Sequence, residues 1–339
     1  MKLGDIFDQT FTLIGSTWSR ALLVCVIILV PASFVFIGGM DSMVGYLLDL
    51  GTQAAEGEPD VWSGEELDPA FSLETAFTLL ARFWLFILAL CVLIAATFLA
   101  MLGVTIIACA EMAGVDISWS EALRRSLGIR AVRLLVQLVL QGAVFVALFL
   151  IPFLMIIGGA ASDTLWLSLF GGLGVAVAAF ATIFLAIRWA FTMQAIGWEE
   201  EDVIGAFQRS WQLVSQNWWR VFGILILLGL LEDFVVSIIT MPIYFLAMWN
   251  MFVEIFHLAG SGAEPGPEVH QSVFSSIGLG LGLTISVSMI LSAFLTPLYT
   301  AVLYYDLRVR RGEFPPPAST GPAGTPLPGS PAPSPAPTA

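Results

Sequence analysis

Two acids stand side by side in the middle of a greasy stretch: Glu232 and Asp233 are the only charges in an apolar run over 221–253. A carboxylate at the bilayer centre costs about 2.5–3.5 kcal/mol on insertion scales, so the pair needs a cationic or hydrogen-bonding partner. Arg188, just beyond the apolar run over 164–187, is the candidate. Facing one another across an antiparallel helix pair, Arg188, Glu232 and Asp233 would form a buried ion-pair cluster or part of a path for a small solute. Two plainer arrangements also fit. Arg188 marks the membrane edge, because 164–187 already spans, or Glu232 is interfacial, because the span begins only at Phe234.

Other constellations are weaker. The two histidines, His257 and His270, fall in a stretch read as the last outer loop, with no cysteine or further histidine at zinc-ligand spacing. The acids between Asp41 and Glu74 lack the Asp/Asn/Gly spacing of a calcium loop and read as a solvated outer loop. No Ser/His/Asp set or phosphate-cradling glycine loop is present. The expectation is a chain that is not an enzyme and carries no cofactor and no metal.

The elements that would hold these side chains are helices in lipid. Of the 339 residues 58% are hydrophobic and 12% charged, against roughly a quarter charged in soluble domains. Lipid accepts such surface, because a helix satisfies its own backbone and crosses a core about 30 Å thick with about 20 apolar residues. Charge-free runs cover 21–39, 83–110, 134–162 and 164–187, and two longer apolar stretches cover 221–253 and 271–305. Six spans follow. In that arrangement Arg82 alone of the 13 basic residues falls on the side opposite the others, which puts both termini in the cytoplasm and the acidic 41–74 segment outside. About twenty polar and amphipathic residues precede the first span, so no cleaved signal peptide is expected. Cys25, Cys91 and Cys109 sit inside spans and cannot build an external disulfide framework. With a net charge of -13 and no dense basic patch, nucleic acid is excluded as a partner.

The chain also resembles itself. Residues 7–20 align with 207–220 through Phe7/Phe207, Phe11/Trp211, Leu13/Leu213, Trp18/Trp218 and Arg20/Arg220. A degenerate third copy matches Ala122, Arg125 and Ser126 to Ala206, Arg209 and Ser210. Each copy precedes an apolar run, so the pattern predicts an all-α polytopic transmembrane helix bundle of about six spans, with amphipathic interfacial helices and a pseudo-threefold repeat. The units run over about 1–113, 114–199 and 200–312 in parallel orientation, unlike the inverted repeats of many transporters. In the last copy Ile204, Phe207, Trp211, Val214 and Trp218 recur at steps of three and four, opposite Gln208, Arg209, Gln212 and Ser215. Asp202 is placed to cap that helix. Trp18, Arg20, Arg124, Arg125, Arg209, Trp211, Trp218, Trp219 and Arg220 are therefore candidate interfacial anchors, the indoles at the headgroup level and the guanidinium groups toward lipid phosphate. The bland reading, helices that only pack on the bundle ends as elbows, is preferred over lipid sensing or partner docking.

The opening Gly4-Asp5-Ile6-Phe7-Asp8-Gln9-Thr10-Phe11 carries a resemblance, together with Arg209-Ser210-Trp211-Gln212-Leu213-Val214, Asn217-Trp218-Trp219-Arg220 and Leu303-Tyr304-Tyr305-Asp306-Leu307-Arg308. These resemble the membrane domain that accompanies glycerophosphodiester phosphodiesterases, which also occurs alone in bacterial membrane proteins. The resemblance covers most of 1–312 and implies a fold and a bacterial membrane location. It transfers no catalytic residue, because the barrel with its His, Glu and Asp cluster has no counterpart.

Small residues at helix-packing spacing, Gly174, Ala178, Thr182 and Ala186 in the fourth span and Gly278, Gly282 and Ser286 in the sixth, are expected to let spans approach closely. Pro31, Pro152, Pro242 and Pro297 are expected to kink their helices. From 313 to 339 the chain turns to Pro, Ala, Ser, Thr and Gly and reads as a disordered cytoplasmic tail. The expected role is a non-catalytic accessory, scaffold or lipid-associated protein of the cell (inner) membrane, with membrane lipids and a membrane-protein partner or a second copy as contacts. The alternative is a small-solute transporter using Arg188, Glu232 and Asp233.

Overall fold

A computed structural model describes residues 3–56, 69–261 and 267–313, and among these the fold is all helix, with no strand. The proline-rich tail expected over 313–339 lies, beyond Glu313, outside the described residues, as does the middle of the acidic segment. In chain order the helices are α1 (Leu3–Glu56), α2 (Pro69–Met112), α3 (Trp119–Ser126), α4 (Ile129–Ala161), α5 (Leu165–Arg188), α6 (Thr192–Gly197), α7 (Val203–Ser215), α8 (Trp218–Ser261) and α9 (Pro267–Arg310). Six of them, α1, α2, α4, α5, α8 and α9, are long and apolar enough to cross a membrane. The protein is a polytopic transmembrane helix bundle, as composition requires.

Three antiparallel hairpins, α1–α2, α4–α5 and α8–α9, account for the long helices. α9 also packs along α1 and α2, so these three form the body of the bundle. The α4–α5 hairpin meets the rest only thinly, chiefly through α2 and the short helices at one end. Its outer faces carry Val139, Ile151 and Phe180 at 71%, 66% and 76% exposure, surface that only hydrocarbon can cover without cost. The buried core sits toward the arginine-bearing end, where Leu29, Val104, Phe191, Leu213, Leu298 and Tyr304 meet.

The short helices begin where the side chains dictate. Ser118 accepts from Glu121 N at 3.3 Å to start α3, and Asp202 accepts from Gly205 N at 2.9 Å to start α7, the cap expected from sequence. The first copy of the repeated motif behaves differently. It was expected as a separate surface helix, yet α1 runs unbroken for 54 residues through both motif and span. The reason is local: Ser16-Thr17-Trp18-Ser19-Arg20 contains no breaker, whereas Leu127-Gly128 and Gln216-Asn217 release the other two copies from their spans.

The acidic segment also differs from expectation. At 1.5 Å per residue α1 is about 81 Å long and α8 and α9 about 66 Å each, at least twice the hydrocarbon thickness. Residues 41–56 are therefore helical rather than loop, and His257 and His270 lie on α8 and α9 rather than in a loop. Pro31, Pro152, Pro242 and Pro297 all lie inside helices that continue through them. Close approach is real at the small residues. A Cβ on Gly174 would meet Pro152 Cγ at 3.1 Å, and one on Gly282 would meet Ile37 Cγ1 at 3.2 Å.

Candidate functional site

Five arginines at one end of the bundle, Arg20, Arg130, Arg209, Arg220 and Arg308, are held by acids from other segments. Arg209 on α7 grips Glu199 with two bonds, Nε to Oε2 at 2.8 Å and Nη2 to Oε1 at 3.0 Å. Arg308 on α9 reaches the same carboxylate at 3.3 Å, and the Tyr304 hydroxyl donates to it as well. Glu313 closes the group, accepting from Arg209 Nη1 at 2.9 Å and from Arg308 Nε at 3.2 Å. Side-chain exposures of 15% for Glu199, 18% for Arg209 and 11% for Arg308 make this a largely desolvated lattice, where paired charges are strongly interdependent. The Arg209 guanidinium beside Glu313 holds its carboxyl below the usual carboxylate range.

Three similar clamps surround it. Asp306, 1% exposed, takes Arg220 from α8 and Arg310 from its own helix, each at 3.0 Å. Arg20 on α1 pairs with Glu111 at 2.9 Å and with Asp116. Arg130 pairs with Glu200, whose carbonyl accepts from Arg133 Nη1 at 2.6 Å. Glu200 sits at a left-handed φ of 61°, a conformation disfavoured for a side-chain-bearing residue and here pinned by those two arginines.

The anchors thus divide by type. Trp18, Trp211 and Trp219 are outward at 58%, 39% and 77% exposure. Arg20, Arg209 and Arg220 are turned inward onto Glu111, Glu199 and Asp306, which corrects the expectation that they face lipid phosphate. Arg124 and Arg125 remain the outward pair, at 79% and 40%, sharing Glu121. Arg125 first and then Arg124 keep that carboxyl below its ordinary value. On α7 the buried face is Ala206, Ser210, Leu213 and Val214, not the aromatic stripe. Ile204 and Trp211 look outward, and Trp218 lies half-buried against Phe184 and Phe222.

The candidate intramembrane cluster of Arg188, Glu232 and Asp233 does not assemble. Arg188 caps the C-terminal end of α5, with its guanidinium carbon 4.5 Å from the Trp211 ring centre and 5.1 Å from that of Phe184. Its carbonyl accepts from Ser210 Oγ at 2.8 Å, tying α5 to α7. Glu232 lies deeper, 8% exposed, with both carboxylate oxygens 2.9 Å from the Thr296 hydroxyl. Asp233 is exposed on the flank of α8. Among the described residues no ion pair joins Arg188 to either acid. Depth explains the failure. Along α8, Glu232 is about 18 Å beyond the Arg220 level, while Arg188 sits level with α7. We expect Arg188→Ala and Glu232→Ala to be additive within about 0.5 kcal/mol in reversible unfolding from detergent micelles. A coupling above about 1 kcal/mol would restore the pairing.

Of the acids that matter here, Asp306 was quoted only within a motif, and Glu199, Glu111 and Glu313 were not singled out from sequence. One signal was present: the Glu199-Glu200-Glu201-Asp202 run lies directly at the arginine-bearing end of a span, where unpaired acids would be out of place.

A family model described as a domain of unknown function, DUF7847, matches residues 20–307. The chain belongs to that family. No curated protein matches it. The DUF7847 match opens on Arg20, and it contains Glu199, Arg209, Arg220 and Asp306. Four of the residues quoted for short, architectural motifs, Arg209, Arg220, Tyr304 and Asp306, therefore meet as a frame inside the family's extent.

Proposed function

We propose that this DUF7847 protein is a non-catalytic, lipid-associated scaffold of the bacterial inner membrane, with both termini on the cytoplasmic side, serving a membrane-protein partner or a second copy of itself. The observation that carries the reading is the division on α7, where Ile204 and Trp211 face outward while Arg209 is committed to Glu199 and Glu313. A helix with an aromatic outer face and an internally neutralised arginine is suited to lie among headgroups as a fixed element of the frame. The bias of 12 to one in the placement of the 13 basic residues supports the orientation. In this reading the units over 1–113, 114–199 and 200–312 are variations of one interfacial segment followed by a hairpin. Likeness to the membrane domain that accompanies the phosphodiesterases agrees with a role that needs no catalytic centre of its own.

Spin labels test both depth and side. In sealed right-side-out vesicles, labels on Ile204→Cys and Trp211→Cys, with the native cysteines replaced, should relax with membrane-dissolved oxygen more than with an aqueous nickel chelate. A label on Gln208→Cys should show the reverse and resist an impermeant external reductant, whereas one on Asp60→Cys is reduced at once. Nickel-dominated relaxation at Trp211, or reduction of both aqueous labels together, would overturn the reading.

A further inference from the structure

A cavity of about 200 Å³ lies under the short helix α6, walled by α2, α4, the end of α5 and α9. Its lining is unusually polar for the interior of an apolar bundle, with Gln137, Gln141, Gln194, Thr296 and Thr300 facing Trp189. The hydrogen bonds of these groups have a common direction. Thr296 donates its hydroxyl proton to Glu232, and Thr300 donates its own to Thr296 O at 2.8 Å. Gln194 donates from Nε2 to Thr300 Oγ1 at 2.8 Å, and Gln137 donates to Gln141 Oε1 at 2.7 Å. Each of these bonds uses one donor inside the wall, and one buried acceptor is left over.

That acceptor is Gln194 Oε1. The residue is 2% exposed and lines the cavity, yet this oxygen has no hydrogen-bond partner among the described residues. A buried acceptor in that state is costly and rarely tolerated without a ligand or water to meet it. Behind Thr296 stands Glu232, buried and without a basic partner among the described residues. No lysine or arginine lines the cavity. The site therefore presents an unmet acceptor beside a carboxylate with no basic partner among the described residues, and a molecule with both N–H donors and a positive charge answers the two together.

We propose that the cavity beneath α6 binds a small ammonium-type cation, a primary amine of a few heavy atoms. Its N–H groups donate to Gln194 Oε1 and the neighbouring amide oxygens. Its charge is balanced through Thr296 by Glu232, and its alkyl part lies against Trp189, an aromatic wall that suits a cation. The size agrees, since a cavity of about 150 Å³ is enough for benzene. This site is separate from the arginine lattice and stands whether or not the protein is a scaffold.

The test uses the full-length chain in nanodiscs, titrated with methylammonium chloride and read by intrinsic tryptophan fluorescence during thermal unfolding. Methylammonium should raise the unfolding temperature saturably. Equal sodium chloride should not do so, and neither should ethanol, which is similar in size but uncharged. Glu232→Gln and Gln194→Met should each weaken the methylammonium effect at least tenfold, read as the shift from each variant's own ligand-free unfolding temperature, since Gln194→Met also removes the bond to Thr300 Oγ1. A response no larger than that to sodium chloride means water alone fills the cavity and overturns the proposal. An equal response to ethanol, or an unchanged one in Glu232→Gln, overturns the cation assignment. Should Glu232→Gln fail to fold, Gln194→Met decides alone.

Discussion

Replacing Glu199 by Ala should lower unfolding stability by about 3–5 kcal/mol, the usual consequence of removing one member of a desolvated charge cluster. The loss is large because three groups converge on that carboxylate. Arg209 and Arg308, at 18% and 11% exposure, would be left facing each other with Glu313 as their remaining acid, and the Tyr304 hydroxyl would lose its acceptor. Glu199→Gln should fall between, since it keeps one acceptor but no charge. Reversible unfolding in mixed micelles measures all three, and a loss below about 1 kcal/mol for Glu199→Ala would mean that water screens the lattice. Acid gives an independent check. Glu313 has a carboxyl held low in the folded state, so its contribution is complete above the ordinary carboxylate pKa and disappears as pH falls through the depressed value. Glu313→Gln should therefore flatten the acid limb of stability, and at neutral pH it should deepen the loss caused by Glu199→Ala, because Arg209 and Arg308 then share no acid.

The contrast between Glu199 and the six spans shows what a sequence makes visible. A span is a local property: about twenty uncharged residues suffice, and each of the six runs read from the chain corresponds to a long helix. Caps are local too, which is why Asp202 could be assigned in advance. The length of α1 was less legible, because hydropathy marks where a helix enters lipid and not where it stops. The continuation over 41–56 depends on ordinary helix formers that look the same as loop residues in a charge count. Partner choice is the least local property. Tyr304 and Glu199 are separated by 105 positions and Arg20 and Glu111 by 91, so nothing in the spacing ties them. The choice left open over Arg188 and Glu232 has the same origin. The acids were seen as needing a partner, but a one-dimensional reading could not choose between Arg188 as that partner and Arg188 as a mark of the membrane edge. In the fold the arginine found aromatic faces and the acid found a threonine at its own depth. That depth is fixed by the α8–α9 register: from the Arg220–Asp306 contact, twelve residues on along α8 and ten back along α9 bring Glu232 to Thr296.

A second large effect is expected within the α4–α5 hairpin, the part of the bundle with least support from its neighbours. Gly171 faces the proline turn of α4 so closely that a Cβ would sit 2.8 Å from Ile156 N and 2.9 Å from Pro152 O. Those atoms are backbone and cannot swing aside, so a larger residue has to push the two helices apart. Gly171→Val should destabilise by about 1–3 kcal/mol through overpacking. Gly172→Val supplies the control, since nothing lies within 4 Å of a Cβ there and the helix propensity change is the same. It should cost no more than about 0.5 kcal/mol. Because α4 and α5 meet the rest mainly through the short helices, the damage should also be confined. Cysteine pairs introduced across α4 and α5 should lose cross-linking in Gly171→Val, while pairs across α8 and α9 keep it. Equal effects of the two glycine substitutions would show that the hairpin is held by lipid pressure and not by the close backbone contact at Gly171.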